Sequence, residues 1–350
     1  MPVLRFEGFF HQSILNDYKT CPRACYFNQV VGLWRTKTSR KTLAGSSGHS
    51  TFEMAHRENI WEPAILFEFW QDDYERRQFE AIEKGLELVN EINPNDYFQI
   101  IEGYASREYN RTAIVVAAEQ PFEVEIKPGR TGYPFRGTID QVAWLDVAQL
   151  AEDYPWIGST FQVPRILVHR DFKFGRVKHV SPAHLAMNTQ IDTYSIGLAK
   201  GEFLHEDRAP ERVNYEPDLH CLCFLQDLVP PKNLRGNYLK DDNDNYIPCH
   251  IGGQQGCDIR ADGSKRASYC KGQRSWCPEG FPWQPSGVEY WTTRDADQRK
   301  AAEQDIGRIC AAIRLGLWFR CGNDLCDNYC GFKDACMSDR GMDLDILEAA

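Results

Sequence analysis

The chain has 350 residues, 26% of them charged and 42% hydrophobic, and a formal net charge of −10. That composition is ordinary for a globular protein with one large core or two modest ones. It excludes a generally basic nucleic-acid coat while leaving room for a local basic groove, and the longest apolar run, "AIVVAA" at 113–118, is too short to span a bilayer.

The opening "MPVLRFEGFFHQSIL" lacks the basic flank and apolar core of a signal peptide, so a cytoplasmic location is expected. In "SILNDYKTCPRACYFNQVVGLW", 13–34, Ser13 is a plausible N-cap for a helix with Ile14, Leu15 and Tyr18 at helical spacing. Pro22, directly after Cys21, either breaks that helix or restarts it as a first-turn proline. "WRTKTSRKT", 34–42, is a basic stretch that reads equally as a solvated loop. In "LAGSSGHSTFEMAHREN", 43–59, small residues bring the backbone close, and a helix then carries His49 and Glu53 on one face. Residues 60–110 read as mostly helical, and the aromatics of "FEFWQDDYERRQF", 67–79, suit a buried helix face better than base stacking.

Strands follow. "AIVVAAEQPFEVEI" ends with Phe122, Val124 and Ile126 alternating against Glu123 and Glu125, "KPGRTGYP" turns, and "FRGTIDQVAWLD" returns with Asp140 inside it. A loop over 150–164 leads to "ILVHRDFKFGRV", a strand ending in Asp171-Phe172-Lys173. "SPAHLAMNTQIDTYSIGLAKG" predicts one capped helix of about 18 residues. "DLHCLCFLQDLV" predicts the last sheet strand, with Cys221 and Cys223 in the core; residues 229–285 are a polar insertion; "DADQRKAAEQDIGRICAAIRLGL" is a helix with Ile306, Ile309, Cys310 and Ile313 in one stripe. The order helix, three strands, helix, strand predicts an α/β domain with a mixed sheet and Asp140 and Asp171 on neighbouring strands.

Residues two apart on a strand share a face, so Asp171 and Lys173 project together, and Asp140 adds a second carboxylate. Two carboxylates suit Mg²⁺ or Mn²⁺ with positions left for water and a phosphate oxygen. The lysine can hold water and offset charge developing on phosphorus. Asp-x-Lys alone is a common surface ion pair, contributing roughly 0–1 kcal/mol. Gln190 and Tyr194 lie four apart on a helix, an unremarkable pair by itself.

Thirteen cysteines, an odd number in a chain without an export signal, point to metal rather than disulfides. "CGNDLCDNYCGFKDAC", 321–336, has a thiolate density that zinc or a 4Fe-4S cluster would accept. Cys249, His250, Cys257, Cys270 and Cys277 in the insertion could form a second site, Zn²⁺ being the expected ion, or stay free thiols.

Taken in order, "SILNDYKTCPRACYF", "GHSTFE", "GTID", "DFK" and "QIDTY" resemble the motifs of the PD-(D/E)XK nuclease superfamily, specifically its RecB-like branch. The C-terminal cysteines resemble those of its iron–sulfur members, AddB-type nuclease domains and CRISPR-associated exonucleases. The resemblance implies a restriction-endonuclease-like α/β core with a mixed β-sheet flanked by helices, plus helical and cysteine-rich additions. It implies that His49, Asp140, Asp171 and the carbonyl of Phe172 hold Mg²⁺ or Mn²⁺, that Lys173 positions water and stabilises the transition state, and that Gln190 and Tyr194 orient the catalytic groups or contact the nucleic-acid backbone. Glu53 would support His49. The implied 4Fe-4S ligands are Cys21, Cys326, Cys330 and Cys336, with Cys321 and Cys25 as substitutes because the first gap of the tail is longer than in relatives.

The expected protein is a DNA nuclease of a prokaryotic or phage-infected cell, acting on single strands or free ends beside a helicase or recombination partner. A binding module of the same fold and an electron-transfer protein are the competing classes; the second leaves Asp-x-Lys and Gln-x-x-x-Tyr unexplained. The expected organisation is a single nuclease domain: 1–110 helical, 111–228 catalytic core, 229–285 insertion, 286–350 helix and cysteine cluster.

Overall fold

The computed structural model describes residues 6–33, 37–174, 181–225, 288–319 and Cys336. The chain begins with α1 (Gln12–Thr20), α2 (Pro22–Tyr26) and a π-type turn, and then forms β1 (Lys37–Ser39), α3 (Arg40–Glu58) and α4 (Pro63–Glu83). β2 (Glu87–Val89), α5 (Pro94–Ser106) and α6 (Glu108–Arg111) precede the long strands β3 (Ile114–Ile126) and β4 (Tyr133–Asp146). Next come α7 (Val147–Asp153), α8 (Pro155–Thr160), β5 (Arg165–Phe174), α9 (Pro182–Ala186) and α10 (Thr189–Lys200). β6 (Glu202–Phe203), β7 (Glu211–Arg212), β8 (Leu219–Leu225), β9 (Val288–Thr292) and α11 (Ala296–Arg314) complete the described elements.

Seven strands form one sheet in the order β7-β6-β3-β4-β5-β8-β9. β5 and β8 run parallel and the other neighbours antiparallel, so the fold is α/β with a central mixed sheet. Helices cover both faces. On one, Phe52, Trp70 and Tyr104 from α3, α4 and α5 pack against Val168, Phe172 and Cys221. On the other, Leu15 of α1, Ile196 of α10 and Ile306 of α11 pack against Phe122, Ile139 and Leu167. Among the described residues no helix is long and apolar enough to cross a membrane.

Two close approaches fix the helices that matter for function. A Cβ on Gly48 would lie 2.3 Å from the Phe174 ring, so glycine is what lets α3 descend onto the end of β5. A Cβ on Gly197 would lie 2.2 Å from Phe122, so α10 sits equally close to β3.

Several local expectations are corrected. The first helix begins at Gln12 with His11 at its cap, and the Ser13 hydroxyl turns to the His11 ring instead of capping. Pro22 does restart the chain as the first residue of α2. The basic stretch is no loop where it is described: Lys37–Ser39 pairs parallel with Glu87–Val89, and Ser39 caps α3, which already runs through the small residues. The supposed loop at 150–164 holds α7 and α8, because Asp146 caps the first, Pro155 starts the second, and Leu150 and Ile157 are buried.

The long helix expected after Ser181 is two. The Asn188 side chain accepts from the amides of Gln190 and Ile191, a cap that ends one helix and starts another. β8 is not the last strand, since β9 pairs with it antiparallel and forms the sheet edge. Trp70 and Tyr74 of the aromatic segment are buried, as a helix face requires, and in the stripe on α11 Ile306, Cys310 and Ile313 are buried. The insertion, with Cys249, His250, Cys257, Cys270 and Cys277, lies outside the described residues.

Candidate active site

Alternation along β5 divides its end between two layers. Phe172 and Phe174 pack toward α3, whereas Asp171 and Lys173 face α10. The Lys173 ammonium is 2.8 Å from Asp171 Oδ1 and 2.7 Å from Oδ2. Gln190 Nε2 donates to Asp171 Oδ1 at 2.7 Å and to the Tyr194 hydroxyl at 3.1 Å, so the α10 pair reaches the Asp-x-Lys motif directly. Asp140 enters from β4, where its Oδ2 accepts the Phe172 amide at 2.7 Å. The same amide ties Phe172 to the site through its backbone; its ring is in the core.

His49 comes from α3. Its Nδ1 lies 3.6 Å from Asp140 Oδ2 and 2.9 Å from Oε1 of Glu119, a residue that the sequence motifs did not single out. Donor atoms of His49, Glu119 and Asp140 all lie within 4.8 Å of one another. Glu119 has φ +44°, and the β3–β4 ladder passes from Ala118–Gln141 to Gln120–Ile139 without a regular pair at Glu119 and Asp140. The only local sign of this in the sequence is a polar Glu-Gln pair interrupting an apolar strand.

The electrostatics follow from burial. Asp171 is wholly buried, and desolvation raises its carboxyl above the usual range against the pull of Lys173. Asp140 is likewise raised, first by burial, with His49 and Lys173 opposing. Burial would depress the Lys173 ammonium, but Asp171 and Asp140 outweigh it and hold the group above its ordinary value. Lys173 is therefore a fixed cation and no proton acceptor at neutral pH. Burial also raises the Tyr194 hydroxyl, keeping it neutral. Behind Asp171, His169 and His220 face each other across β5 and β8 with Nδ1 atoms 3.1 Å apart; burial pushes His169 down to about 4, so its ring is neutral at pH 7.

The donor set fits a hard divalent cation. It offers carboxylate oxygens and one imidazole nitrogen, and Asp171 Oδ2, fully buried beside the ammonium, accepts no hydrogen bond of acceptable geometry. Of the sequence-expected residues, His49, Asp140, Asp171, Lys173, Gln190, Tyr194 and the Phe172 backbone are connected as described. Glu53 is not joined to them: it pairs with Arg57 at 3.2 Å on the outer side of α3.

The cysteines divide differently. Cys21 is half-buried at the joint between α1 and α2, whereas Cys25 is buried, its Sγ 3.7 Å from the Ile14 carbonyl and its thiol pushed up to about 12 by burial. Tyr18 donates to the Leu317 carbonyl at 2.8 Å and packs edge-on against Trp318, which brings the turn before Cys21 to the chain that leads into the cysteine tail. Cys336 is half-buried with a free thiol; Cys321, Cys326 and Cys330 lie outside the described residues.

A second cluster lies on the opposite face of the sheet. Cys221, Cys223 and Glu289 are mutually close, but Arg170 is 3.0 Å and Arg107 3.1 Å from Glu289, and burial raises the Cys221 thiol well above its ordinary value. A carboxylate already neutralised by two guanidiniums beside a protonated thiol is a buried ion-pair network, not a metal centre.

Comparison with known proteins assigns no relative: no protein-family model matches the chain, and no curated protein matches it.

Proposed function

We infer that the chain is a metal-dependent deoxyribonuclease of the RecB-like PD-(D/E)XK type, hydrolysing phosphodiesters in single strands or at ends. The observation that carries this reading is the convergence of Asp140, Asp171, Lys173 and Gln190, from two strands and a helix, through contacts of 2.7–2.8 Å. A decorative ion pair needs no buried second carboxylate and no glutamine behind it.

A bound Mg²⁺ or Mn²⁺ would be held by His49, Asp140 and Asp171 and would supply Lewis-acid stabilisation and a water of lowered pKa. The chain's own groups do the rest. Lys173, kept cationic by Asp171 and Asp140, stands ready to offset charge developing on the phosphoryl oxygens. Gln190 fixes the Asp171 carboxylate through Oδ1 and is itself steadied by Tyr194. The Phe172 amide holds Asp140 in place, so substrate binding requires no rearrangement of the carboxylates.

A 4Fe-4S cluster on Cys21, Cys326, Cys330 and Cys336 belongs to the same reading. The contact of Tyr18 with Leu317 supports it, as does the inward, protonated Cys25, which leaves Cys21 as the available early thiol. Closing a loop from the first helix to the tail would restrict the unfolded chain strongly.

The test is cleavage of labelled single- and double-stranded DNA with Mg²⁺, Mn²⁺ or EDTA, by the wild type and by Asp171→Ala and Lys173→Ala. Cleavage that needs metal and is lost in both folded variants supports the reading. Retained DNA binding without wild-type cleavage under any metal overturns it in favour of a binding module.

A further inference from the structure

Resting on the metal-dependent reading above, we propose that Glu119 is a direct protein ligand of the divalent cation, completing with His49 and Asp140 a three-donor position that adjoins Asp171. Nothing in the Asp-x-Lys or Gln-x-x-x-Tyr motifs requires an acid at this place. The chain nevertheless puts one there at a double cost. A glutamate at φ +44° occupies a backbone region that L side chains rarely adopt. Its carboxylate also faces a second carboxylate, Asp140, from the adjacent strand, and like charges across strands repel.

The arrangement of donors shows what would relieve both. His49 Nδ1 is shared, 2.9 Å from Glu119 and 3.6 Å from Asp140, so one ring atom faces both acids. Oxygen and nitrogen atoms confined within 4.8 Å of one another match the span of ligands around an ion with bonds of about 2.1 Å. Asp140 Oδ2, the oxygen that faces His49, also accepts the Phe172 amide, which holds the carboxylate in place. Asp171 stands just outside the trio, held by Lys173 and Gln190, with Oδ2 fully buried and without a hydrogen-bond donor of acceptable geometry. That oxygen is ion-paired to Lys173 at 2.7 Å, so the ammonium shares the charge of the carboxylate next to the trio. An imidazole and three acids suit Mn²⁺ better than Mg²⁺, which makes Mn²⁺ the appropriate probe.

A purely orienting role for Glu119, holding the His49 ring for a cation bound through its other nitrogen, is the alternative to be excluded. Mn²⁺ binding by the full chain, followed by calorimetry and by the electron paramagnetic resonance of the free ion, separates the two. Glu119→Gln should weaken binding about tenfold or more, while Glu123→Gln, on the same strand but paired with Arg136 at the surface, should leave it unchanged. Glu119→Gln should weaken binding again when introduced into His49→Ala, because a direct ligand acts without the ring. Circular dichroism of each variant controls for folding.

Unchanged Mn²⁺ affinity in folded Glu119→Gln overturns the assignment while leaving the nuclease reading intact. A loss seen only when His49 is present also overturns it, reducing Glu119 to a positioning residue. A wild-type chain that takes up no Mn²⁺ overturns both.

Discussion

The amide of Phe172 donates to Asp140 at 2.7 Å, so the strand that carries Asp171 and Lys173 also orients the aspartate of its neighbour. The backbone of β5 thus acts as a jig for two strands' worth of chemistry. Any change that shifts the end of β5 should disturb every polar group of the site together, whatever its effect on global stability.

Gly48→Ala tests this coupling. The added methyl would stand 2.3 Å from the Phe174 ring, and an overpacked contact of this kind costs about 1–3 kcal/mol. Because Phe174 ends β5 and His49 follows Gly48, DNA cleavage should fall further than thermal stability alone explains. Phe174→Leu should restore part of both, measured by a double-mutant cycle of Tm and cleavage rate.

Arg294 clamps the helix that bears Gln190. Its Nε is 2.6 Å from Asp192 of α10, and its Nη2 donates to the carbonyls of Leu185 at 2.9 Å and Ala186 at 3.2 Å, at the end of α9. Arg294→Ala leaves a buried carboxylate unpaired and should destabilise the chain by about 3–5 kcal/mol. Amide exchange should rise first in α9 and α10, and Asp192→Asn in the same chain should cost less than the sum of the two single changes.

Glu289→Gln should make the protein less stable and its stability less pH-dependent. Burial alone would raise this carboxyl, but Arg170 and Arg107 hold it below the usual value of 4.5. A carboxylate lowered on folding contributes stability above its unfolded pKa, and that contribution is lost as pH falls through the lower folded value. Urea unfolding should therefore show the variant weaker by about 3–5 kcal/mol at pH 7, with the gap narrowing on acidification below about pH 5.

Glu119→Gly separates stability from function at one position. Glycine adopts φ +44° freely, so the change should raise stability by about 1 kcal/mol while weakening Mn²⁺ binding. Calorimetric unfolding without metal, set beside the Mn²⁺ titration, checks both signs.

What the sequence made legible was local. Alternation over Phe122, Val124 and Ile126 marked the strand that buries all three, and Asp-x-Lys and Gln-x-x-x-Tyr located groups that the structure joins by hydrogen bonds. What it hid depended on pairing across distance. Arg170 and Glu289 are 119 residues apart, so their ion pair inside the core left no pattern in either strand. Glu119 was invisible for the same reason, since the register of β3 against β4 sets it opposite Asp140 and its left-handed backbone leaves no mark in the spacing. The break at Asn188 had a readable signal, a capping side chain before Thr189, but the apolar periodicity on either side overrode it.

The chain leaves the sheet at the end of β8 and returns beside it, with Phe224 and Val288 as antiparallel partners. Main-chain pairing already closes β8 on β9, so the two strands hold each other whatever the length of chain that joins them. Evolution can lengthen, shorten or exchange such a connection without redrawing the sheet, and a protein engineer could graft a tight turn there on the same grounds. The side chains of the candidate site sit on β3, β4, β5 and two helices, so a change in that connection leaves their positions to the sheet.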